Sequence, residues 1–316
     1  MDNQLKYNEP WILQRADPYV YRHTDGQYYF SASLPDYDGI ALRRADTLAG
    51  LREAQEVRIW NKHESGIMSF HIWAPELHYL DGNWYIYFAG SDKDDIWALR
   101  PYVLECLDED PLTGTWTEKG MLQPADDDPF SFTDFSLDTT VFENKGERYC
   151  VWAEKVSVGK KISNLYIAKM ETPWKLKTAQ VLLTTPCYDW ERVGFWVNEG
   201  PFVIHRNGKV FLTYSASETG IDYCVGLLSA DEDSDLLDPG SWTKSRYPVL
   251  CSDASRTIYG PGHNCFTVDV DGNDIMVYHA RTETEIEGDP LYNPNRHAML
   301  MRITWGEDGF PQFKYE

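Results

Sequence analysis

Five times along the chain, a polar turn containing glycine leads into a run in which aromatic and β-branched residues alternate with smaller or polar ones. The runs read DGQYYFSAS from Asp25, DGNWYIYFAGS from Asp81, NKGERYCVWAEK from Asn144, RNGKVFLTYSAS from Arg206 and DGNDIMVYHAR from Asp271. Their turn glycines, Gly26, Gly82, Gly146, Gly208 and Gly272, are separated by steps of 56, 64, 62 and 64 residues. Asp-Gly and Asn-Gly pairs suit tight hairpins because such turns need positive φ. A second short apolar strand precedes each turn: DPYVY, PELHYL, TTVFE, PFVIH and CFTVD. Five hairpins, each followed by a longer and more polar stretch, predict five sheets of about four strands, and such sheets set radially make a propeller. The expected fold is therefore all-β, a five-bladed β-propeller forming one domain over residues 1–316. The alternative is a sandwich of ordinary hairpins, and the regular spacing over the whole chain argues against it. Residues 41–57 (ALRRADTLAGLREAQEV) could form a helical turn or two and are read as a connection between strands.

Composition fits this picture and narrows the partners. The chain has 316 residues and is 42% apolar, enough for a sizeable core, and its 14% aromatic content suits pleated, half-buried surfaces. Fifty acidic against 29 basic residues give a net charge of −21. That charge repels nucleic acid and anionic membrane surfaces, while a neutral ligand feels little of it. Six cysteines, at 106, 150, 187, 224, 251 and 265, form no C-x-x-C motif, which speaks against a zinc ribbon or a redox pair. Cys150, Cys224 and Cys265 lie in apolar strand runs and read as small buried hydrophobes. The opening residues MDNQLKYNEP lack a basic-then-apolar leader, and no apolar run reaches membrane-spanning length. A cytoplasmic location is expected on that basis.

Nine residues before each turn glycine stand Asp17, Trp73, Glu199 and His263, with Asp138 at a step of eight. These positions open the strand that, in a propeller, runs along the central channel. Three carboxyl groups converging there repel one another and are costly to desolvate. Groups that push each other's pKa values apart are what acid–base chemistry requires. The competing readings are structural: Asp17 and Asp138 as turn or cap residues, Trp73 as a core aromatic, and His263 as a satisfied channel histidine.

The blocks RADPYV, WAPELHY, SLDTTVFE, NEGPFV and GPGHN, in that order, resemble the signature of glycoside hydrolase family 43. The stretches HESGIMSFHIWAPE, GFWVNEGP and EIEGDPLYNPNRH are more specifically similar to its α-L-arabinofuranosidases, and most of all to those acting exo on arabino-oligosaccharides. The resemblance implies an inverting hydrolase with Asp17 as general base and Glu199 as general acid. Asp138 would be the carboxylate that keeps the acid's pKa high. It further implies Trp73 as a wall of the sugar subsite, Arg281 as an arginine approaching the pocket, and His71 and Phe195 as pocket neighbours. His263 would sit on the axis beside a structural calcium or its water shell, with no cofactor needed for the chemistry. The implied partner is a neutral oligosaccharide. A β-xylosidase or bifunctional xylosidase/arabinofuranosidase is the enzymatic alternative, and a non-catalytic carbohydrate-binding propeller the other.

Overall fold

The computed structural model describes residues 5–158 and 160–315. The described chain is all-β apart from the helix Leu48–Glu53 and three single 3-10 turns. A first antiparallel sheet takes Ala16–Arg22, Tyr28–Ser33, Gly39–Ala45 and Val57–Asn61 in chain order. A second takes Phe70–Leu80, Asn83–Asp92, Asp95–Cys106 and Trp116–Met121. Nine strands then form one larger sheet. Its first part is Ser136–Asn144, Glu147–Val158 and Lys160–Thr172, with Lys175–Leu176 and Val181–Thr184 on the outer side. Its second part is Trp196–Arg206, Lys209–Ala216, Cys224–Asp231 and Thr243–Lys244. Only a short parallel pairing, Ile162 with Trp196 and Ser163 with Val197, joins the two parts.

The last sheet runs Tyr259–Val268, Asp274–Arg281 and His297–Arg302, and its fourth strand is Pro10–Ile12 from the other end of the chain. Residues 41–57 are not a bare connection: the helix bridges the ends of two paired strands, with Thr47 capping its first turn by accepting from Gly50 N at 3.0 Å.

All five turn glycines have positive φ, between 75° and 89°. Asp81, Lys145 and Asn207, each just before its glycine, also have positive φ, the two-residue type I′ pattern. The first and last hairpins are one residue longer. There His23 N donates to Gln27 O, and Asp269 N to Asn273 O, around a glycine that alone is left-handed. The core lies between neighbouring sheets. One cluster joins the first, second and last sheets through residues such as Ile40, Trp84 and Val277, and another joins Ala89 of the second sheet to Val151 and Leu212 of the larger one. Cys150, Cys224 and Cys265 are buried as expected.

Because Trp11 on the closing strand is buried and packs edge-on against Phe30 at 5.7 Å, it ties the chain's two ends together. Trp11→Ala should cost about 3–5 kcal/mol in urea unfolding, the usual loss for emptying a large aromatic site. Leu13→Ala, 64% exposed two residues on, should change stability by no more than about 0.5 kcal/mol.

Candidate active site

In each of the five hairpins the first strand breaks register at the same place. Two residues oppose one at Asp17–Pro18, Ala74–Pro75, Asp138–Thr139, Gly200–Pro201 and His263–Asn264. The leading residue of every bulge is left-handed, with φ between 43° and 54°. That conformation costs a non-glycine residue about 1–2 kcal/mol, and bulges of this kind re-aim side chains.

This corrects the nine-residue count. Asp17, Asp138 and His263 are true equivalents, but Ala74 and Gly200 are their counterparts in the other two repeats. Trp73 and Glu199 stand one residue earlier, still paired with Ala89 and Ser215. The count slipped because the first and last hairpins are a residue longer. Pro18, Pro75 and Pro201 mark the bulges in the sequence, since a residue without an N–H is tolerated there. At Gly200 a Cβ would press within 3.2 Å of the His263 ring, so the carboxyl of that repeat comes from Glu199 instead.

Four of the five bulge N–H groups are taken by a side chain from the preceding sheet or sheet part. Ala74 N donates to Ser33 Oγ at 2.8 Å, and Gly200 N to Asp138 Oδ2 at 2.9 Å. His263 N donates to Ser215 Oγ at 2.7 Å, and Asp17 N to His279 Nδ1 at 3.0 Å. An accepting Nδ1 fixes His279 as a neutral imidazole. Its pKa, held down to about 4 mainly by burial, agrees, so its 3.4 Å approach to Asp17 Oδ1 is no ion pair.

These bulges open onto one cavity of about 710 Å³ that Asp17, Asp138, Glu199, Trp73 and His263 all line. Such a volume is typical of small-molecule sites. Asp17 Oδ2 accepts from Ser33 Oγ at 2.5 Å, while Oδ1 faces His263 Nδ1 at 3.3 Å and Arg296 Nη1 at 3.5 Å. Burial alone would raise its pKa, but those two cations outweigh it and hold the carboxyl well below the usual range. Asp138 and Glu199 go the other way. Burial pushes both up, Asp138 to about 8, and mutual repulsion adds to it, so the pair keeps one proton through the neutral range. Tyr223 Oη donates to Glu199 Oε1 at 2.8 Å and favours its charged form.

His263 Nδ1 also lies 3.8 Å from Asp138 Oδ2. Burial disfavours the charged ring, yet the surrounding carboxylates prevail and raise its pKa. Calcium takes oxygen ligands, and the ring of His263 offers none. Among the described residues no three His, Cys, Asp or Glu side chains are grouped as metal ligands. The side chains around His263 therefore do not fit a directly bound ion.

Other expected positions divide. Phe195 is on the rim and 64% exposed. His71 is buried behind Trp73, ring centroids 4.2 Å apart, and supports it rather than lining the cavity. Arg281 is also behind the wall, bonded to Pro290 O and Asn293 Oδ1. The arginine in the pocket is Arg296, inside the EIEGDPLYNPNRH stretch already singled out. Tyr223 and His279 had no comparable sequence signal.

The model of Glycosyl hydrolases family 43 matches residues 7–311. The chain belongs to this family. An extracellular exo-α-(1→5)-L-arabinofuranosidase of Streptomyces avermitilis is 50% identical over 98% of the chain, which spans 63% of that protein's length. A protein of the same description from Streptomyces chartreusis is 50% identical over 90% of the chain and 85% of its own length. The crystal structure of an α-L-arabinofuranosidase from Lactobacillus brevis superposes with a TM-score of 0.91 at 51% identity, covering 98% of both chains. The cytoplasmic expectation does not stand, because two relatives this similar are described as extracellular. The opening residues of the chain were too weak a basis for it.

Carboxyl-labelled 13C NMR should separate the family 43 site's charges. Tyr223→Phe removes a hydrogen bond to ionised Glu199, so the Glu199 pKa should rise. Asp138→Asn removes a nearby negative charge, so it should fall. Shifts in the opposite directions would refute the assigned causes.

Proposed function

We propose that this chain is an inverting, exo-acting α-L-arabinofuranosidase that releases L-arabinofuranose from α-linked arabinan or arabino-oligosaccharides. The observation that carries the reading is that three carboxyls line one cavity in unlike surroundings: Asp17 faces His263 Nδ1 at 3.3 Å and Arg296 Nη1 at 3.5 Å, while burial pushes Asp138 and Glu199 towards their protonated forms. Half-identity to proteins described as arabinofuranosidases supports the choice of sugar. The substrate is a neutral glycan, which an acidic protein does not repel.

In the reaction, Asp17 takes a proton from water as its oxygen bonds the anomeric carbon. Glu199 gives its proton to the glycosidic oxygen as that bond breaks. Asp138 keeps the proton available near neutral pH, and Trp73 offers a flat wall to the furanose. Arg296 and His263 hold Asp17 charged and in place. Acid and base are regenerated by proton exchange with water, and the two carboxyls require no cofactor.

We read the scaffold as a single five-bladed propeller domain. Three features support it: the five equivalent bulges, the short parallel seam dividing the larger sheet, and closure of the last sheet by Pro10–Ile12.

Glu199→Gln should lose most activity on arabinobiose and retain far more on dinitrophenyl α-L-arabinofuranoside, whose leaving group needs no proton. Asp17→Asn should depress both substrates alike, by roughly 10²–10⁴-fold. Equal losses on both substrates for Glu199→Gln would remove it as the acid. In the wild type, activity should fall as pH rises through the pKa of the Asp138–Glu199 pair, and Asp138→Asn should move that limb to lower pH.

A further inference from the structure

All six cysteines are free in this structure, yet two of them sit opposite each other on neighbouring segments. After the strand Cys224–Asp231 the chain turns back, and residues 249–252 run antiparallel to residues 221–225. Val225 N donates to Leu250 O at 2.8 Å, and Leu250 N to Val225 O at 3.5 Å. Ser252 Oγ donates to Ile221 O at 2.5 Å, so the segments stay side by side past Cys224 and Cys251. The pair next to a hydrogen-bonded pair is a non-hydrogen-bonded one, with Cα atoms about 4.5 Å apart. A disulfide spans roughly 4.4–6.8 Å between Cα atoms, so this position accepts one. Val225 and Leu250 point into the same core cluster, and alternation turns Cys224 and Cys251 together to the opposite face. Cys224 is buried, its Sγ 3.8 Å from Trp190 O, whereas Cys251 is exposed.

We propose that Cys224 and Cys251 are the site of a disulfide, formed by exchange with a small-molecule disulfide such as oxidised glutathione. Burial pushes the Cys224 thiol up to about 12, so the exposed Cys251 reacts first. Its thiolate attacks one sulfur of oxidised glutathione and releases one glutathione. Cys224 then gives up its proton and attacks the Cys251 sulfur of the mixed disulfide, and the second glutathione leaves. Two protein thiols are oxidised, and one glutathione disulfide is reduced to two thiols. The link stands next to the site. Tyr223, beside Cys224, donates to Glu199 at 2.8 Å and stacks on His279 at 5.6 Å. On the other segment, Ser252 Oγ accepts from Gly260 N at 2.8 Å, at the head of the strand Tyr259–Val268 that carries His263. One covalent bond would therefore fix Tyr223 and the strand of His263 together. Cys187 is the rival partner, also exposed, but its Sγ lies 3.5 Å from Lys244 Nζ. Lys244 pairs with Leu228, further along the strand from Cys224.

The test treats the whole chain with a mixture of oxidised and reduced glutathione, in one preparation as folded and in another during refolding from urea. Remaining thiols are then alkylated under denaturing conditions, and the peptides are mapped by mass spectrometry. Either preparation should give a crosslinked peptide joining Cys224 to Cys251, two hydrogens lighter than its parts, with the other cysteines alkylated. The linked protein should melt about 5 °C above the reduced one, the usual scale for closing such a loop in a chain of this size. Cys251→Ser, an exposed change that spares the core, should lose both the crosslink and the melting difference, and Cys187→Ser should keep both. A bond from Cys224 to Cys187, glutathione left on Cys251, or alkylation of every cysteine in both preparations would overturn the assignment. A link between Cys224 and Cys251 that fails to raise the melting temperature would also overturn it, as a bond forced on the fold rather than one the fold is built to hold.

Discussion

A set of five left-handed bulges opening onto one cavity is the constraint on which this site rests. At the same step in five strands the chain takes a conformation that L-residues avoid, and the ladder loses a pairing. The cost is offset locally. Ser33, Asp138, Ser215 and His279 each accept the N–H that a bulge would otherwise leave unpaired, and each reaches over from the preceding strands. The same bonds that satisfy the backbone therefore lock one sheet to the next and fix where the functional side chains stand. Asp138 serves both ends, as bulge residue and as acceptor for Gly200.

Burial disfavours every charge in this pocket, so the neighbours decide which groups keep theirs. Asp17 has two cations within 3.5 Å and stays ionised. Asp138 and Glu199 have each other, and together they keep a proton. His263 stands between the two outcomes: its charge lowers all three carboxyl pKa values, yet only for Asp17 does it combine with an arginine to prevail over desolvation. One type of side chain thus fills opposite roles within a single cavity.

Much of this was legible in the sequence. The turn glycines showed the five hairpins because Asp-Gly and Asn-Gly, which make four of the five turns, have few other uses between alternating strands. The bulges were harder, since counting from the turn assumes hairpins of equal length and two of the five are longer. The prolines at 18, 75 and 201 carried the alignment that the count missed. Arg281 and Arg296 could not be told apart by pattern. Both lie near the family-like stretch, and only the path of residues 289–296 shows that one holds the wall and the other faces the cavity. Tyr223, just before Cys224–Asp231, reaches Glu199 past the strand between them, a contact between residues 24 apart that no local spacing announces.

In the proposed reaction an ionised base and a protonated acid drive a single displacement across one pocket. Proton NMR of the first product, recorded before mutarotation, tests it directly. A single displacement yields β-L-arabinofuranose from an α-linked substrate. Release of the α-anomer would mean a covalent intermediate on one of the carboxyls, and would contradict the roles given to Asp17 and Glu199.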